Sequence, residues 1–131
     1  MGRWLAACLI LCYASPATGQ EVRAAEIDRT DPVEVTEALF IAARTGDPSQ
    51  LASLCHPEAE TDGDLQRICD LTTEHEMWSE FVEWFSRGKV SGPATITEGV
   101  AVVPILFGPD GRDEERMGLI LLEGKWYLAS L

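Results

Sequence analysis

The sequence predicts an α+β fold in which N-terminal helices pack on a four-stranded antiparallel sheet. Three observations predict it. Apolar residues recur at helical spacing as far as Gly88, and from Lys89 the period changes to the alternation of strands. The strand-like runs that follow are joined by short turns, "EG", "GPDG" and "EGK". Such short connections join antiparallel neighbours, because parallel ones need a long crossover.

The first twenty residues, "MGRWLAACLILCYASPATGQ", carry one charge at Arg3 and then an apolar run from Trp4 to Ala14. That run is about eleven residues, short of the roughly twenty that cross a bilayer as a helix. It suits the central region of a secretory signal, with Pro16 ending it and Ala17 and Gly19 as the small residues of a cleavage site. The expected leader is therefore 1–19, with the cut between Gly19 and Gln20 and no stable membrane insertion afterwards. A retained anchor is the main alternative. "LAAC" at Leu5–Cys8 imitates a lipid-attachment box but precedes the apolar run instead of following it. About 112 residues remain, enough for one compact domain at 31–131. Gln20–Thr30 reads as a polar, flexible lead-in or a frayed helix.

"DPVE" opens the first helix: Asp31 is a good N-cap, Pro32 suits the first helical position, and Glu34 can close a capping box. The helix should run to about Arg44, with Gly46 ending it. Val35, Ala38, Leu39 and Ala42 form its apolar stripe, which Phe40 and Ile41 widen. "DPSQ" at Asp47–Gln50 starts a short helix to about Cys55, and Asp64–Leu71 makes another. "TEHE" at Thr73–Glu76 is a further capping box and predicts a helix to Arg87–Gly88. Its broad apolar face holds Met77, Trp78, Phe81, Val82 and Phe85; Glu83 and Arg87 are spaced to pair.

In the first strand, Val90, Ala94 and Ile96 alternate with polar residues, as one wet face requires. "VAVVPILFG" is apolar on both faces, and Pro104 within it lacks the N–H a ladder needs, so this strand should bulge or lie at an edge. Glu115–Leu122 and "WYLASL" complete the meander.

Removal of the leader takes Cys8 and Cys12 with it and leaves Cys55 and Cys69. An even pair in an exported chain reads as a disulfide. A thiol–imidazole site is disfavoured because Cys55 and His56 are neighbours whose side chains point apart, whereas a nucleophile must face its base. Cys55, His56, Cys69 and His75 fit no usual zinc spacing. Asp62 and Asp64 with Glu58 or Glu60 lack the spacing of a calcium loop. No metal and no cofactor is called for.

The chain holds 10 Lys and Arg against 22 Asp and Glu, for a net charge of −12. With its cations scattered singly, it is not built to bind nucleic acid or anionic lipid, both of which are held through clustered Lys and Arg.

Helices followed by an apolar meander resemble the nuclear transport factor 2-like superfamily over about Asp31–Leu131. The resemblance rests on element order, on "AARTGDPSQLASLC" between the first two helices, and on the closing "LEGKWYLASL". It implies a bent sheet whose concave side is covered by helices to form a cone, with a pocket at the wide mouth. Phe40, Trp78, Phe81 and Trp126 are the pocket-lining residues it suggests, for a small apolar ligand. Enzymes of the superfamily place acid–base residues on that lining, where burial shifts their pKa values. "VAVVPILFG" and "MGLILL" contain no titratable residue, so the expected function is a non-catalytic, exported module that binds a small ligand or another protein. The alternative is an isomerase or hydrolase, with His75, Glu76 or Tyr127 as acid–base groups. The plainer assignments make His75 an exposed helix residue, and Tyr127, Trp78, Trp84 and Trp126 packing residues.

The two-sided apolar strands carry one more expectation. Helices can cover one face of a sheet, and an uncovered second face would leave a large apolar patch. A homodimer through the outer sheet face is expected, with Val103 and Ile105 as residues whose replacement by Glu would test it. The Gln20–Thr30 segment folding back and a different protein docking are the two other covers.

Overall fold

The computed structural model of the chain describes residues 26–131. The expected leader, its expected cleavage site and the first residues of the expected lead-in lie outside them. Three helices pack against an antiparallel sheet of five strands that does not close into a barrel.

Helix α1, Pro32–Thr45, begins as its sequence requires. The Asp31 carboxylate accepts the Val33 N–H at 2.9 Å, Pro32 occupies the first turn, and Gly46 ends the helix in the left-handed region at φ 70°. The capping box does not form: Glu34 instead accepts the Asp28 N–H at 3.0 Å, and the Asp31 N–H is taken by the Asp28 carbonyl. Phe40 is fully buried, but Ile41 is 48% exposed. Its position explains this, because Glu34, Glu37, Ile41 and Arg44 share the solvent stripe of the helix.

A single 3-10 turn, Leu51–Leu54, follows, and then α2, Gly63–Cys69, capped by Asp62. Helix α3, Trp78–Phe85, starts four residues later than "TEHE" predicts. Two backbone turns close there, from the His75 N–H to the Thr72 carbonyl and from the Trp78 N–H to the His75 carbonyl. His75 Nδ1 accepts the Met77 N–H at 3.0 Å, so the imidazole lies in the turn before the helix. Arg87 donates to the Pro109 carbonyl at 3.1 Å; among the described residues it has no ion pair with Glu83.

The strands are β1 (Lys89–Val90), β2 (Thr95–Thr97), β3 (Val100–Phe107), β4 (Asp113–Leu122) and β5 (Lys125–Ser130). They make four rows, because β1 and β2 both pair with β3 and together form one broken edge. The break lies opposite Pro104. Its carbonyl accepts the Ser91 N–H at 2.9 Å, and a strand residue's N and O point to the same side, so the missing donor faces the edge row. The edge therefore loops out at Gly92–Pro93 while β3 itself runs straight through. The proline thus disrupts its neighbour, where a bulge or an edge position of its own strand was expected.

Register assigns the faces. Ala101, Val103, Ile105, Met117, Leu119, Trp126 and Leu128 point towards the helices and are buried. Val100, Val102, Pro104, Leu106, Ile120, Leu122 and Tyr127 fall on the outer face by the two-residue alternation. Val103 and Ile105 are thus core residues. Substituting them would test folding, and the outer face must be probed at Val102 and Leu106. The free edge of β5 is covered: the Trp126 N–H donates to the Arg29 carbonyl and the Asp62 N–H to the Ala129 carbonyl, both at 2.9 Å.

Candidate functional site

Cys55 and Cys69 form a disulfide with Cα atoms 6.2 Å apart. It fastens the last residue of α2 to the segment after the 3-10 turn. Asp62 ties the other end of α2 down with both oxygens. One accepts the Leu65 N–H and the other the Leu131 N–H, each at 2.8 Å. A seven-residue helix has little stability of its own, so these ties and buried Leu65 fix its place.

Between α2, α3 and the far end of the sheet lies a cavity of about 370 Å³, open at one side. Helix α2 and its continuation supply Ile68 and Leu71, α3 supplies Phe81, Trp84 and Phe85, and Met77 caps that wall. Phe107 from β3 and Leu131 at the C-terminus complete the apolar lining. Asp64, Arg67, Glu80 and Glu115 stand around it. The aromatic rings are contiguous: Phe81–Phe85 centroids are 5.1 Å apart, Phe85–Phe107 5.4 Å, and Trp84–Phe107 5.7 Å. The volume lies within the range of small-molecule sites, as does the mixture of apolar wall and few charges.

Of the residues suggested as pocket lining, Phe81 is on this wall. Phe40 is fully buried against Phe85, with centroids 6.1 Å apart, and Trp126 is buried on the helix side of β5. Trp78 is half-buried against Phe81. His75 and Glu76 are exposed in the turn before α3. The Tyr127 ring meets the edge of His56, 4.9 Å away. These three are not on the cavity wall, and all four charged residues that are lie exposed to solvent.

As lining, sequence reasoning missed Ile68, Leu71, Phe107, Glu115 and Leu131, and it had read Met77, Trp84 and Phe85 only as packing residues. One signal was present. Glu115 pairs with Ile105 and so occupies the helix-facing side of β4, where its successors Met117 and Leu119 are buried. A carboxylate in that phase marks where the packed core stops and an open mouth begins.

No helix among the described residues is long and apolar enough to cross a membrane. Compared with known protein families and with curated proteins, the chain matches none.

Proposed function

We propose that this chain is an exported, non-catalytic module that holds a small apolar molecule in the cavity between α2, α3 and the sheet, on a nuclear transport factor 2-like cone. The observation that carries this reading is the 370 Å³ cavity itself, lined by four aromatic rings and aliphatic side chains. Export is supported by the Cys55–Cys69 disulfide, since such bonds persist in oxidising compartments. The non-catalytic character is supported by the exposure of every ionisable group on the wall. Acid–base chemistry at neutral pH calls for a carboxylate or imidazole whose pKa is shifted, most often by burial.

A neutral fluorescent probe, N-phenyl-1-naphthylamine, tests the reading directly. Its emission should rise on binding to the wild-type protein. Ile68→Trp, which fills the cavity from its half-buried wall, should weaken binding at least about tenfold while the thermal midpoint holds. Equal binding by both proteins, or none by either, would remove the cavity as the functional site.

The outer sheet face supports a second element of the reading, a homodimer. Val100 is 48% exposed there, beside half-buried Val102, Leu106, Ile120 and Leu122. A contiguous apolar face of this kind is usually covered by a partner.

A further inference from the structure

We infer that the cavity selects cationic amphiphiles: molecules with an apolar or aromatic body and a permanently charged ammonium head. The inference rests on the ligand-binding reading above and adds the charge of the ligand. Its starting point is the continuous aromatic wall of Phe81, Phe85, Phe107 and Trp84. Ring faces carry negative potential and attract alkylated ammonium groups, which lose little hydration on leaving water. An apolar wall alone would accept neutral and charged bodies alike, so the polar groups around it decide the sign.

The charged side chains among them are three carboxylates and one guanidinium. The guanidinium pairs with one of the carboxylates, Arg67 Nη1 lying 3.5 Å from Asp64 Oδ1 one turn back on α2, with both side chains exposed, so it offsets Asp64 more than the other two. The other two carboxylates come from different walls. Glu80 precedes Trp84 by four residues on α3, which stacks the carboxylate and the indole on one helix face. Glu115 stands on the helix-facing side of β4, opposite Ile105, and is also on the cavity lining. Among the described residues neither has an ion-pair partner. A head group at the mouth therefore meets, among the described residues, Glu80 and Glu115 beside the aromatic wall, and the one guanidinium on the lining is the one paired with Asp64. An anionic head would meet repulsion from both. The net charge of −12 adds a long-range field of the same sign, which raises the local concentration of cations.

The test uses three octyl compounds that differ only in the head: octyltrimethylammonium, 1-octanol and octyl sulfate. Binding to the full exported protein is followed by tryptophan fluorescence and calorimetry at low and high salt. The ammonium should bind about tenfold tighter than the alcohol and the sulfate weakest of all, with the spread narrowing in salt. Glu80→Gln with Glu115→Gln should erase the preference for the ammonium and leave octanol binding unchanged. Glu98→Gln with Glu123→Gln removes the same charge at two distant turns and should leave the preference intact. If the three heads bind alike, or if both double variants lose the preference equally, charge selection by this mouth is overturned while the cavity stands. If none of the three binds, the ligand-binding reading falls with it.

Discussion

Opening the Cys55–Cys69 bond should separate the stability of this fold from the integrity of its cavity. The bond closes a loop with a sequence separation of 14. Restricting the unfolded chain over a loop of about fifteen residues is worth about 3 kcal/mol. A domain of this size has roughly 5–15 kcal/mol in total, so the loss is large without being fatal. With about 4–8 °C of midpoint per kcal/mol for a domain near one hundred residues, reduction should lower the thermal midpoint by about 12–24 °C. Both sulfur positions are buried, so Cys55→Ala with Cys69→Ala adds a small packing loss, and the reduced wild-type protein is the cleaner comparison.

The same bond bears on the cavity, because Ile68 and Leu71 flank Cys69 and both line it. After reduction α2 keeps its Asp62 cap, the Leu131 tie and buried Leu65, so the helix should stay docked but hold its last turn less firmly. Probe affinity should therefore fall at a temperature where the reduced protein is still folded. The assay is paired thermal and urea unfolding with and without reductant, with alkylation and mass spectrometry confirming the thiol state. A reduced protein whose midpoint moves by less than about 3 °C would refute the chain-entropy argument. Unchanged probe affinity would refute the coupling of the bond to the wall.

Four other outcomes are expected. Gly88→Ala should destabilise by about 1–3 kcal/mol in urea unfolding, because the added methyl falls on the ring of buried Phe40. Glu98 and Glu123 sit at φ 44° and φ 53° in two-residue hairpin turns, where Asn is favoured, so Glu98→Asn and Glu123→Asn should each stabilise by roughly 0.5–1 kcal/mol in thermal melts. Val102→Glu with Leu106→Glu should leave the protein folded and halve its mass in sedimentation; a monomeric wild type would dispose of the dimer. Asp28 is held below its ordinary carboxylate value by the Thr30 hydroxyl and N–H, and Asp47 by the Ser49 N–H. Lowered folded values mean that their support is present above the ordinary value and is lost as pH falls through the folded one. Carboxyl NMR titration should show both midpoints low, with Thr30→Val raising that of Asp28 alone.

Much of the fold is legible because its signals are local. Asp31, Pro32 and Gly46 act on backbone groups within one turn of themselves, so they place α1 without reference to the rest of the chain. The change to two-residue alternation at Lys89 marks the sheet for the same reason. "TEHE" is equally local in appearance, yet Thr72 and His75 use their carbonyls in turns that compete with a first helical turn, and α3 begins at Trp78. Pro104 is a mixed case. Its missing donor is visible in the sequence, but the break falls in whichever strand lies on its N–H side, and only the pairing of β1 and β2 with β3 decides that.

The cavity is the least legible feature because it arises from a mismatch of lengths between elements far apart in sequence. Ten residues of β4 extend over about 33 Å, whereas the eight residues of α3 rise about 12 Å and the seven of α2 about 10 Å. Fourteen-residue α1, about 21 Å long, carries Val35, Leu39 and Phe40 into the core and helps to cover the part of the sheet where Val103, Met117 and Leu119 are buried. Two short helices cannot extend that cover to the end of β4, and there the helix-facing side changes from Met117 to Glu115 and Asp113. Phe107 and Trp84, whose ring centroids are 5.7 Å apart, are left lining the cavity, incompletely covered by other side chains. Lengthening α2 by one turn of apolar residues inserted after Cys69 should therefore fill the mouth and abolish probe binding while raising the thermal midpoint. If an insertion that stays helical leaves binding intact, helix length is not what keeps the cavity open.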